Sequence, residues 1–118
     1  MLEKELAIDS RVSLSDGNSM PLLGLGTWAA QPGGETRDAV AFALETGYRH
    51  IDTAKMYGNE QDVGEAVSQS SIPRQEIFVT TKLWDSDQGY QTAHDAFDRS
   101  MDQLGLEYID LYLIHWPV

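Results

Sequence analysis

The sequence predicts an α/β fold: a capping β-hairpin, then four parallel strands and three helices, forming the N-terminal half of a (β/α)8 TIM barrel. Three observations predict it. Short apolar or β-branched runs alternate with helical periodicity between Leu22 and Ile114, and such alternation with short connections means parallel strands joined by crossover helices. The pattern stops at the fourth strand, whereas a closed barrel takes eight strands, eight helices and ~250 residues. Finally, Asp52, Tyr57, Lys82 and His115 each lie at or just beyond the C-terminal end of an apolar run. That is where a parallel barrel assembles its site.

Taken in order, residues 1–10 read as a leader and residues 11–118 as the half-barrel domain. Arg11 to Ser15 alternates polar and apolar, and Asp16-Gly17-Asn18 supplies a tight hairpin turn. Ser19 to Leu22 is the return strand, with Pro21 confining it to an edge. Leu22 to Trp28 is a short apolar run with two glycines. A break at Gln31-Pro32-Gly33-Gly34 leads into a helix from Glu35 to Thr46, whose inward face is Ala39, Val40, Ala43 and Leu44. Gly47 ends this helix, and Tyr48 to Asp52 forms the next strand. Asn59 caps a second helix running to Ser70 with Val63, Ala66 and Val67 inward. Its acids Glu60, Asp62 and Glu65 read as a solvated face. Ile77 to Thr81 is a β-branched strand ending at Lys82, followed by a turn over Asp85 to Gly89. The third helix runs to Leu104 along a stripe of Tyr90, Ala93, Phe97, Met101 and Leu104, and Gly105 stops it. Tyr108 to Ile114 is the last strand.

Composition bounds the function. With 118 residues, 42% hydrophobic and 23% charged, the chain has material for one globular domain. Its net charge of −11 and lack of a Lys/Arg cluster exclude a nucleic-acid partner, so the acidity reads as a solvated surface. There is no cysteine, hence no disulfide or thiolate chemistry. No apolar run reaches the ~18 residues of a membrane span. MLEKELAIDSR holds no signal core, so a cytoplasmic protein is expected. His50 and His94 lack companions at metal-ligand spacing, and no metal is expected. The pair Gly24-x-Gly26 lacks the third glycine and following helix of a dinucleotide fingerprint.

The four polar residues are individually ordinary: a turn former, a packing tyrosine, a strand-end lysine and a strand-end histidine. Together they suit one reaction. A free phenol with pKa near ~10 holds its proton at neutral pH, and an ammonium beside it makes it a stronger acid. An aspartate would hold that ammonium, and a histidine can orient a carbonyl oxygen. Such a group delivers a proton to an oxygen that gains negative charge as hydride reaches carbon, and the hydride must come from a cofactor.

The stretches MPLLGLGTW, GYRHIDTAKMYGNEQDVGEAV, IFVTTKLW and LGLEYIDLYLIHWP resemble the N-terminal half of an aldo-keto reductase, a (β/α)8 barrel using NADPH. The resemblance runs from Ser10 to Val118 without a gap. It implies reduction of small aldehydes and ketones by a catalytic tetrad of Asp52, Tyr57, Lys82 and His115, with Tyr57 the general acid. It implies that Trp28, Trp84 and His115 meet substrate and that Gly26, Thr27 and Asp52 lie near the nicotinamide. The run WDSDQGYQT is similar to bacterial members acting on small dicarbonyls, such as glyoxal or diketogluconate reductases. In the family, the C-terminal strands hold the nicotinamide ring and the adenosine 2′-phosphate, and this chain has no counterpart to them. The expectation is a fragment of a longer gene, a chain that pairs with a C-terminal half-barrel, or one that self-associates. The contrasting expectation is a non-catalytic association module.

Overall fold

A computed structural model describes residues 5–117. Strands β1 (Arg11–Ser13) and β2 (Ser19–Pro21) pair antiparallel as the predicted hairpin. Its loop is longer than a two-residue turn: Leu14 N donates to Asn18 O and Gly17 N to Leu14 O. Only Gly17 takes a left-handed φ, +88°. Of the expected leader, residues 1–4 lie outside the described residues, and Ala7 to Ser10 closes a turn through Ala7 N donating to Ser10 Oγ at 2.8 Å.

The remaining elements are β3 (Leu25–Gly26), α1 (Gly34–Glu45), β4 (His50–Asp52), α2 (Glu60–Gln69), β5 (Phe78–Leu83), α3 (Tyr90–Leu104) and β6 (Leu111–Ile114). The four later strands form one parallel sheet in sequence order, β3-β4-β5-β6. This is the parallel β/α half-barrel read from the alternation. Among the described residues β3 pairs only with β4, and β6 only with β5, so both outer strands are sheet edges.

The core lies between the sheet and the three helices. Val40 of α1, Ile51 of β4, Val63 of α2 and Val79 of β5 are fully buried, each stabilising the fold by roughly 1.5–3 kcal/mol. Alternation then sorts each strand. Ile51, Val79 and Thr81 point to the helices, so their neighbours His50, Asp52, Phe78, Thr80 and Lys82 point the other way, into the half-barrel. Those inner residues meet one another: His50 Nε2 lies 2.9 Å from Thr80 Oγ1 and its ring packs edge-on to Phe78.

Several expectations need correction. The α1 face contains buried Thr36 in place of Ala39, which is exposed; the Thr36 hydroxyl donates to Gln31 O at 2.7 Å and so can be buried. On α3 the buried positions are Ala96, Ser100 and Leu104, while Tyr90 is 86% exposed and Ala93, Phe97 and Met101 are half-buried. Glu60 is not on a solvated face. It is buried, accepting from Thr81 Oγ1 of β5 at 2.7 Å and Ser100 Oγ of α3 at 3.2 Å. Asp62 is half-buried and accepts from Gly33 N at 2.9 Å. All four parallel strands start later than read, at Leu25, His50, Phe78 and Leu111, and two of them show why. Tyr48 N donates to Ala43 O and Arg49 Nη1 to Leu44 O, so these residues finish α1 and β4 begins at His50. Before β6, Asp110 accepts from Val79 N through its carboxylate, extending the pairing with a side chain where a strand was expected.

Candidate active site

Parallel strands bring all their C-terminal ends to one rim, and every predicted site residue stands there. Trp28 follows β3 and Asp52 ends β4. Tyr57 closes a single 3-10 turn, Lys55–Tyr57, that Gly58 terminates with a left-handed φ of +71°. Lys82 lies inside β5, one residue further into the strand than read, because Leu83 still pairs with Ile114. Trp84 leaves β5, and His115 leaves β6 with its N donating to Leu83 O.

The Lys82 ammonium is the centre. It donates to Asp52 Oδ2 at 2.7 Å, to the Thr53 carbonyl at 2.8 Å and to the Tyr57 hydroxyl at 3.3 Å. An ammonium has three hydrogens, so this inventory is complete. The lysine side chain is 12% exposed and Asp52 33%, so the pair is largely withdrawn from water but opens at the rim. The same Nζ sits 4.9 Å from the Tyr57 ring centre. His115 meets Tyr57 edge-on, ring centres 5.6 Å apart, and Trp84 holds its other side at 5.3 Å. One imidazole nitrogen, Nδ1, is buried with no partner among the described residues.

Above these groups is a cleft of about 310 Å³ lined by Trp28, Met56, Tyr57, Trp84, His115 and Trp116. Three tryptophans and a methionine make its walls apolar; the polar groups converge at its floor. Met56 and Trp116 were not singled out in the sequence, although each adjoins a residue that was. Lys55, also on the 3-10 turn, pairs with Asp87 beyond Trp84 and so ties two walls of the cleft together.

Of the three residues placed near a cofactor, Gly26 is open: a Cβ there would meet nothing within 4 Å. Thr27 is buried, and its hydroxyl is engaged inside the protein, 3.1 Å from Asp52 O and 3.3 Å from Asn59 Oδ1. Asn59 itself makes no side-chain cap on α2, contrary to expectation, because its amide is taken by this network.

A rim of this kind on this sheet defines a class, and comparison with known proteins identifies it. The sequence model of the Aldo/keto reductase family matches residues 22–118, and the chain belongs to that family. It is 59% identical over 106 residues to a 9,11-endoperoxide prostaglandin H2 reductase of Trypanosoma cruzi, covering 90% of this chain and 38% of that protein. It is 45% identical over 111 residues to a glyoxal reductase of Bacillus subtilis, covering 94% of this chain and 40% of that protein. A crystal structure of an aldo/keto reductase from Brucella melitensis superposes with a TM-score of 0.88 at 55% identity, over 92% of this chain and 42% of that one. The chain thus spans about two fifths of the length of the relatives it matches.

Proposed function

We propose that this chain carries the proton-donating half of an NADPH-dependent reductase of aldehydes and ketones. The observation that carries the reading is the Lys82 ammonium, held by Asp52 and Thr53 with its remaining hydrogen directed at the Tyr57 hydroxyl. A cation beside a phenol favours release of the phenolic proton, and Tyr57 opens onto the cleft where a carbonyl oxygen would arrive. Asp52 balances the lysine charge and fixes its direction. His115 supplies orientation: its ring stands beside Tyr57 and lines the cleft, where an imidazole N–H can donate to the carbonyl oxygen. The apolar walls suit a small carbonyl compound; the likeness to a glyoxal reductase supports a dicarbonyl substrate.

NADPH, when bound, supplies the hydride. On this chain the open backbone at Gly26 and the exposed edge of Asp52 would face it, and Thr27 would support that edge from beneath. The remaining grip comes from a second half-barrel, contributed by further residues of a longer protein, a C-terminal half-barrel partner or a second copy. A cytoplasmic location belongs to the same proposal, and cell fractionation tests it.

The deciding experiment is NADPH oxidation with methylglyoxal, comparing the chain joined to a C-terminal half-barrel with its Tyr57→Phe variant. Loss of at least about 100-fold in turnover with NADPH affinity retained is expected when a general acid is removed. Equal turnover in the variant overturns the role of Tyr57. No turnover in either protein favours the association-module reading.

A further inference from the structure

We infer that Asn59 is a positioning residue for the site, acting through the Thr53 carbonyl on Lys82 and through the Thr27 carbonyl on the Trp28 turn. It rests on the reading of Lys82 and Tyr57 as the acid pair. Asn59 is fully buried at the start of α2, two residues beyond Tyr57, yet its side chain caps nothing. Its Nδ2 donates to Thr27 O at 2.8 Å and Ala30 O at 3.3 Å, and its Oδ1 accepts from Thr53 Oγ1 at 3.0 Å. The Thr27 hydroxyl lies 3.3 Å from the same oxygen. Carbonyls only accept, so the nitrogen must face Thr27 and Ala30, and the amide has one orientation. No other side chain of this size offers two donors and a two-fold acceptor without charge.

Each arm of the network ends on the site. Thr53 is pinned twice, by its N donating to Thr80 O at 2.9 Å and by its hydroxyl on Asn59. Its carbonyl is then a fixed acceptor for Lys82 at 2.8 Å. With Asp52 holding a second hydrogen, two fixed acceptors aim the third at Tyr57. On the other arm, Thr27 O also accepts from Ala30 N at 3.2 Å, closing a turn around Trp28 and Ala29. Ala29 has φ +65°, a conformation disfavoured for a residue with a Cβ, so the turn needs external support. Asn59 supplies that support by holding both ends, and Trp28 at its tip walls the cleft.

The test reads Lys82 without requiring turnover, so it stands apart from the reductase assay. The sequence holds three lysines, Lys4, Lys55 and Lys82, which makes the Nζ signals of 15N-lysine-labelled full chain easy to separate; loss of one in Lys82→Met assigns it. In Asn59→Ala and Thr53→Val, exchange of the Lys82 Nζ hydrogens with solvent is expected to quicken about tenfold, the scale of one net hydrogen bond. Thr53→Ser, which keeps the hydroxyl, is expected to match the parent. Val40→Ala, a core truncation outside the network, is the control for general loosening and is expected to leave the exchange unchanged. The inference is overturned by unchanged exchange in both Asn59→Ala and Thr53→Val, or by equal acceleration in Val40→Ala. Should Asn59→Ala fail to fold, Thr53→Val against Thr53→Ser decides.

Discussion

At the scale of single residues, the centre of the site is one hydrogen-bond donor group with no spare capacity. Lys82 spends all three hydrogens, and removing it leaves Asp52 without its cation partner and Tyr57 without its neighbouring charge. Lys82→Met in an active assembly is therefore expected to slow carbonyl reduction by at least about tenfold while the fold persists. Steady-state rates and far-UV circular dichroism check the two halves of that statement. His50 gives a prediction about stability. Burial holds its pKa below the ordinary histidine value; contacts with Pro21 O, Asp52 and Asp110 oppose the shift, and Lys82 adds to it. A histidine whose folded pKa is depressed contributes stability that is present above the unfolded value, and that is lost as pH falls through the folded one. The melting temperature of the parent should therefore drop more between about pH 7.5 and about pH 5.5 than that of His50→Gln, which keeps a partner for Thr80 without titrating. Parallel melting curves for both proteins would remove His50 from the account.

At the scale of elements, the sequence was most readable where one signal sufficed. Alternating β-branched runs gave the strand order, and the ends of those runs gave Asp52, Lys82 and His115 their common rim. It was least readable where a polar residue is buried by partners distant in sequence. Glu60 looks like a surface acid on a helix, and only Thr81 and Ser100, brought in by β5 and α3, make its burial tolerable. Asn59 has the position and type of a helix cap, and nothing local reveals that Thr27 and Thr53 claim it instead. The α3 stripe was misplaced because periodicity counts apolar residues, whereas Ser100 is buried through its bond to Glu60. Gly64 was passed over for a related reason, since its neighbour lies on another helix. A Cβ at Gly64 would stand 1.7 Å from the Leu104 carbonyl oxygen, so α2 and α3 touch at bare backbone. Alanine would gain about 1 kcal/mol of helix propensity, but forcing the helices apart costs about 1–3 kcal/mol or more. Because the overlap is with backbone, the cost lies at the top of that range, and Gly64→Ala is expected to destabilise by about 2 kcal/mol or more net, measured by urea denaturation. A variant as stable as the parent would show that the helices part freely.

At the scale of the half-barrel, the described residues present two sheet edges with exposed apolar side chains on and beside them. Leu22, Leu23 and Trp28 flank β3, while Leu113 and Ile114 lie in β6 and Trp116 follows it, all exposed. Unpaired strands with such neighbours are templates for further strands. The isolated chain is expected to sediment above its monomer mass of 13.2 kDa and to do so increasingly with concentration. A single species of monomer mass across the range would contradict this.

The open β6 edge has a consequence for how the chain behaves in different media. Two copies approaching edge to edge each bring a net charge of −11, and that repulsion is felt over the Debye length, about 30 Å at 0.01 M salt but about 8 Å at 0.15 M. In dilute buffer the counterion cloud is wide and keeps edges apart before their backbones meet. At physiological ionic strength it shrinks to less than the spacing of two stacked sheets, and the apolar rim is reached first. Pairing of the isolated chain is therefore expected to be gated by ionic strength, with the acidic surface setting the salt concentration at which edges would begin to join.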